Sequence, residues 1–187
     1  MKKGCIHFLF ILLIVTVVSV FAGPQLIQHM LRLYYPQSYS EIVKNNAETF
    51  SLSEDLIYAV IHAESKFDHD AKSHAGATGL MQLTDETFEW INSKYPPESE
   101  SPNVLNPADN IHAGSALLSL LLNHYGDMDV ALSAYNAGMG NVDKWLENPK
   151  YSTDGKTLDK IPFPETKKYV EQVKKNYKKY QELYPKT

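Results

Sequence analysis

The stretch Leu56-Ile57-Tyr58-Ala59-Val60-Ile61-His62-Ala63-Glu64-Ser65 sets Ile57, Val60, Ile61 and Glu64 at helical spacing on one face. Ser51 or Ser53, with Glu54, supplies the start signal of that helix. A carboxylate on an apolar stripe is out of place, which makes Glu64 a candidate catalytic acid. Burial there strips its hydration and disfavours the charged form. The pKa then rises toward the working pH, where a carboxylic acid donates a proton to a leaving oxygen. Taken alone, a glutamate at a helix end is usually solvated, so the reading depends on its neighbours.

Outward from this helix the chain keeps the same periodicity, and little of it alternates with period two. Ile42, Val43 and Phe50 predict an amphipathic helix just before it, and Phe88, Trp90 and Ile91 predict another over 84–94. Pro96 to Pro102 is a polar, proline-broken loop. Asn106-Pro107-Ala108-Asp109 opens a long helix that carries Ile111, Ala113, Leu117, Leu118, Leu121 and Leu122 and stops at Gly126. A further helix runs from Val130 to Ala137, a loop covers 149–164, and a last helix spans Glu165 to Tyr184 with Tyr169, Val170, Val173, Tyr177 and Tyr180 along one side. The expected fold is all-α.

Three other segments bear on Glu64. Gly76-Ala77-Thr78-Gly79-Leu80-Met81-Gln82 has two glycines bracketing a turn where backbone approaches a ligand, with Gln82 able to donate and accept hydrogen bonds. Ala134-Tyr135-Asn136-Ala137-Gly138 is a polar, aromatic helix end, and Pro164-Glu165-Thr166 places a second carboxylate at the start of the last helix. Each also has a plain structural reading: an interhelical turn, a helix C-cap, and a favourable contact with a helix dipole.

Taken in order, these pieces resemble the lytic transglycosylase catalytic domain of glycoside hydrolase family 23, the relatives of soluble lytic transglycosylase and goose-type lysozyme. The matching residues are Glu64-Ser65 with Phe67, Ser73 through Gln82, Asn106-Pro107 with Asn110-Ile111 and Gly114, Ala134 through Gly138, and Pro164-Glu165-Thr166 with Tyr169-Val170. Asp85 and Met139 depart from the pattern at positions where proline is common. The resemblance implies a lysozyme-like domain acting on the β-1,4 glycan of peptidoglycan, between N-acetylmuramic acid and N-acetylglucosamine. It also implies Glu64 as the sole acid/base and 1,6-anhydromuramoyl ends as products. A cleft lined by Ser73, Met81, Gln82, Tyr135 and Asn136 is implied as well, with Glu165 in support. The common retaining or inverting glycosidase needs two carboxylates, whereas closing the sugar's own 6-hydroxyl onto C1 needs one. Asp68, Asp70 or Asp85 would have to supply the second for a goose-type hydrolase. A wall-binding scaffold without turnover is the other alternative, and retention of Glu64 argues against it.

At the N-terminus, Lys2 and Lys3 precede an uncharged run from Cys5 to Ala22, close to the roughly 20 residues that span a bilayer. Val20-Phe21-Ala22 would suit a signal peptidase, but the run is longer than a usual signal core. A retained membrane anchor with a cytoplasmic N-terminus and an extracytoplasmic domain is expected, or a secreted domain if the segment is cleaved. The expected organisation is an anchor or signal segment over 1–23, a juxtamembrane stalk over 24–38 and the catalytic domain over 39–184. Cys5 precedes the apolar run, so it is not placed as a lipoprotein cysteine, and the rest of the chain can form no disulfide. Without residues 1–23 the net charge moves from −4 to −6, through loss of Lys2 and Lys3, which disfavours a nucleic-acid partner. No cofactor is implied, and no zinc motif joins His62, His69, His74, His112 and His124, which read as surface residues. The lysines of the last helix read as a solvated face.

Overall fold

The computed structural model describes residues 20 and 22–185. Of the apolar run from Cys5 to Ala22, only Val20 and Ala22 fall among them; the expected span otherwise lies outside the described residues. No helix among the described residues is long and apolar enough to cross a membrane. Two compact units are present, one of residues up to Pro36 together with those from Leu183 onward, the other Gln37–Glu182.

In the first unit, helix α1 covers residues 22–34. Arg32 donates to the Leu183 carbonyl at 3.2 Å and lies 5.4 Å over the Tyr184 ring. The Tyr184 hydroxyl in turn donates to the Tyr35 carbonyl at 2.9 Å.

The second unit is built from α2 (Ser40–Phe50), α3 (Glu54–Glu64), α4 (Asp85–Lys94), α5 (Pro107–Tyr125), α6 (Met128–Ala137), α7 (Met139–Leu146) and most of α8 (Pro164–Leu183). This is the expected all-helical domain, and only two isolated bridges, Lys72 with Thr78 and Thr78 with Leu83, break the pattern among the described residues. α5 is central and packs against α2, α4 and α6. Its ends follow from the sequence: the Asn106 side chain accepts from Ala108 N–H and Asp109 N–H, Pro107 takes the first turn, and Gly126 closes the helix at φ 69°. The run Ala113-Gly114-Ser115-Ala116 is buried, and a Cβ at Gly114 would lie 2.4 Å from the Met81 sulfur. α5 therefore needs glycine there to seat the 78–83 turn.

α7 is absent from the sequence reading, which ends the preceding helix at Gly138. That one glycine, at φ 83°, serves both as C-cap of α6 and as N-cap of α7. The histidine reading is also corrected. His62 is buried, and His112 is half-buried, with its ring nitrogens 3.2 Å from Asn46 Oδ1 and 3.1 Å from the Tyr95 carbonyl. Helical periodicity misleads for His62 because α3 is covered all round: every residue from Asp55 to His62 is buried.

The turn Thr78–Leu83 is fastened by Asn110 of α5. Asn110 is 1% exposed; its Oδ1 accepts from Met81 N–H at 2.8 Å, and its Nδ2 donates to the carbonyls of Thr78 at 3.1 Å and Val104 at 2.8 Å. Gly79, at φ 82°, fits beneath it, since a Cβ there would lie 2.4 Å from Asn110 Nδ2. Replacing the amide by an apolar isostere leaves Met81 N–H and the Val104 carbonyl without their partner and takes from the Thr78 carbonyl one of its two donors, the other being Leu83 N–H. Asn110→Leu is expected to cost roughly 3 kcal/mol, read as the shift in equilibrium urea unfolding; an unchanged midpoint would show that the turn holds itself.

Candidate active site

Glu64 is the last residue of α3, and the chain reverses directly after it. Lys66 and Phe67 both adopt left-handed backbone, φ 53° and 69°, a conformation that costs a non-glycine residue about 1 kcal/mol or more and persists where the surroundings enforce it. Ser65 provides that enforcement. Its hydroxyl donates to the Leu80 carbonyl at 2.8 Å and accepts from Phe67 N–H at 3.1 Å. The 78–83 turn is thus tied to the end of α3 by Ser65 and to α5 by Asn110.

α8 approaches α3 from the other side, and its register is set by buried polar and aromatic contacts. Asn176, fully buried, donates to the Ala59 carbonyl at 3.2 Å and lies 3.3 Å from His62 Nδ1. Tyr180 stacks on Tyr58 with centroids 5.3 Å apart. Two turns before Asn176 on α8 stands Tyr169, which this antiparallel register brings to Glu64. The Tyr169 hydroxyl is buried without a partner of full hydrogen-bond geometry, and the group it reaches is Glu64, whose charged form it favours. The Tyr169 ring runs parallel to that of Tyr135 at 6.5 Å.

Burial is the dominant influence on Glu64 and raises its pKa from 4.5 to about 7, with Tyr169 pulling in the opposite direction. No second carboxylate contributes. The phenols of Tyr135 and Tyr169 are pushed well above their ordinary value, first by burial and then by the Glu64 charge. Both stay protonated and remain donors at neutral pH. The arrangement can hold a proton at Glu64 near pH 7 and steady the carboxylate once that proton leaves.

The other expected residues are placed as follows. Tyr135 donates to the Met81 carbonyl at 2.9 Å, joining α6 to the glycine turn. Met81, expected along the cleft, has its side chain completely buried in the slot opposite Gly114; its backbone carbonyl is what meets Tyr135. Gln82, at φ 48°, donates to the Ala71 and Gly79 carbonyls, so its amide N–H groups brace the turn. The Ser73 hydroxyl accepts from Ala77 N–H within its own loop. Asn136 accepts from the Thr166 hydroxyl at 2.8 Å, tying the end of α6 to the first turn of α8. Glu165 is exposed in that same turn. Asp68, Asp70 and Asp85 are all exposed. Asp68, His69 and Asp70 form the single cluster of metal-binding side chains among the described residues, and their full exposure leaves no ligand geometry enforced.

Sequence reasoning missed Tyr169 as a site residue, reading it as part of a core stripe, and gave Asn110 no role. The pairing of Tyr169 with the other matched segments was the available signal. Fold and site together define a helical, lysozyme-like domain with the half-buried carboxylate of Glu64 at the end of α3. The transglycosylase SLT domain family matches residues 41–157, and the chain belongs to that family.

Among relatives, the soluble lytic murein transglycosylase of Escherichia coli K12 is 31% identical over 143 residues, which is 74% of this chain and 22% of that protein. The membrane-bound lytic murein transglycosylase C of Yersinia pestis is 32% identical over 168 residues, 76% and 47% respectively. Among solved structures, an inactive mutant of the lytic transglycosylase Slt from Pseudomonas aeruginosa superposes with a TM-score of 0.71 at 30% identity, covering 84% of this chain and 26% of the other. The 70-kDa soluble lytic transglycosylase of Escherichia coli gives 0.73 at 26%, covering 83% and 26%. The chain thus spans less than half the length of each of these proteins.

Because the folded pKa of Glu64 lies above its unfolded value, the folded state holds the proton more tightly. The associated stability is present below about pH 4.5 and is lost as pH rises through about 7. Glu64→Gln is therefore expected to be more stable than wild type by roughly 1–3 kcal/mol at about pH 8, allowing for the partial exposure of the residue, and nearly equal at about pH 4. Thermal midpoints at the two pH values check this. Tyr169→Phe removes the influence that favours the carboxylate, so the Glu64 titration, followed by carboxyl carbon NMR, should move upward from about 7.

Proposed function

We propose that this chain is a peptidoglycan lytic transglycosylase that cleaves the β-1,4 bond between N-acetylmuramic acid and N-acetylglucosamine and leaves 1,6-anhydromuramoyl ends. The observation that carries the reading is the half-buried carboxylate of Glu64, whose pKa burial raises to about 7 with no second acid acting on it. Protonated Glu64 gives its proton to the glycosidic oxygen as the bond to C1 breaks. The resulting carboxylate takes the proton of the muramoyl 6-hydroxyl as that oxygen bonds C1, so the acid is regenerated and no water is consumed. Tyr169 favours the carboxylate between the two transfers, and the Tyr135 phenol, its hydrogen given to the Met81 carbonyl, stays neutral beside it. The names of the relatives, lytic murein transglycosylases, agree with this reaction.

Ser73, Gln82, Asn136 and Glu165 are assigned to the rim that meets the glycan, and Met81 to a supporting role through its carbonyl. The charge-free run from Cys5 to Ala22 supports a retained anchor over residues 1–23, with the stalk over 24–38 and the catalytic domain over 39–184 held outside the cytoplasm. The membrane-bound name of the Yersinia pestis relative is in keeping with this.

The test is mass analysis of products released from purified peptidoglycan by the full chain and by Glu64→Gln. Wild type should release anhydromuropeptides, and Glu64→Gln should fall by about 10²–10⁴ in rate while still sedimenting with the glycan. Reducing-end products, one water heavier, would mean hydrolysis and a second carboxylate; no product from wild type, with binding intact, would mean a scaffold.

A further inference from the structure

Trp90 is 44% exposed on α4, whereas the other tryptophan, Trp145, is 6% exposed and lies edge-on to Phe163 at 4.9 Å. An exposed indole is a large apolar surface left in water, with a ring suited to a site that is apolar on one side and wet on the other. Trp90 lines a groove of about 420 Å³ with Tyr95, Met139, Lys94, Asn123 and His124. The groove has an apolar, aromatic part and a polar rim, the composition of a small-molecule site.

The rim has unused hydrogen-bonding capacity. Asn123 uses one amide hydrogen on the Ser119 hydroxyl at 3.4 Å, leaving its carbonyl and second N–H. The His124 ring is held edge-on to Tyr125 at 4.5 Å, and the Tyr95 ring edge-on to Phe50 at 6.0 Å. No carboxylate lines the groove, while Lys94 does. A pyranose ring is the complementary shape, with C–H groups on its face and hydroxyl and acetamido groups around its edge. Carboxylates on peptide-bearing glycans suit Lys94. Met139 also opens α7 immediately after Gly138, at the end of the helix carrying Tyr135 and Asn136.

We propose that the Trp90 groove is an additional glycan-binding site, in which a sugar ring stacks on the Trp90 indole and hydrogen-bonds to Asn123 and His124. The proposal rests on a glycan being the substrate. Its role is to hold the polymer at a second point, which raises occupancy of the strand without adding a contact to the reacting bond.

The test uses full-length Glu64→Gln protein, whose slowed turnover leaves binding to be read, and a soluble β-1,4-linked N-acetylglucosamine tetramer. Since Trp145 is buried, acrylamide quenching reads Trp90, and the tetramer should protect it. In the same background Trp90→Ala and Asn123→Ala should each weaken sedimentation with insoluble peptidoglycan, by about tenfold for Trp90→Ala, with Trp90→Phe retaining most of the affinity. Circular dichroism confirms that the surface variants are folded. Unprotected Trp90 with unchanged sedimentation of Trp90→Ala would overturn the site. Both readouts are of binding, so they stand apart from the product analysis that decides the reaction.

Discussion

The Asn110 side chain is the constraint on which the site depends. A primary amide has two donors and one acceptor with two lone pairs, and here a single buried amide answers three backbone groups from separate parts of the chain, Met81, Thr78 and Val104. Its acceptor and donors lie 29 and 32 residues from their partners in the 78–83 turn. Once the turn is fixed to α5, Leu80 presents the carbonyl that Ser65 needs and Met81 the one that Tyr135 needs. The end of α3, the turn and α6 then become one rigid frame around Glu64. Gly79 and Gly114 serve the same frame by leaving out side chains where the amide and the Met81 thioether must fit.

That frame maintains an unfavourable situation. Ionised Glu64 is poorly solvated, as its raised pKa records, and the left-handed residues Lys66 and Phe67 add strain beside it. A protein optimised for stability alone would have neither. A raised pKa of this kind is what a proton donor at neutral pH requires, since a fully hydrated glutamate would be ionised there. The rest of α3 compensates: eight consecutive residues of it are buried, and Asn176 and Tyr180 grip it through polar and aromatic contacts.

Much of this was readable in the sequence, and the failures have specific causes. Caps fix helix ends locally, so Asn106-Pro107 and Gly126 delimit α5 without reference to anything else. Glu64 stands out because a charge on an apolar stripe conflicts with its surroundings. α7 was missed because a glycine that ends one helix was not also read as the start of another, although Val142 and Trp145, three apart and both buried, carry the helical signal. Tyr169 could not be separated from Tyr177 and Tyr180 by periodicity, since all lie along one side and what distinguishes them is what α3 places opposite. Met81 failed for a different reason: in a tight turn the side-chain direction depends on the space offered by a distant residue, Gly114.

The separation in sequence between α3 and α8 has a kinetic consequence. Asn176 and Ala59 lie 117 positions apart, and closing so long a loop is slow compared with forming the local contacts of α5 and α6. Until α8 docks, Glu64 lacks the Tyr169 phenol that favours its charged form. The pairing of Glu64 with that phenol is therefore acquired only with a long-range contact. A chain clipped before α8, or one in which α8 has come away, loses that phenol while keeping every residue of the glycine turn.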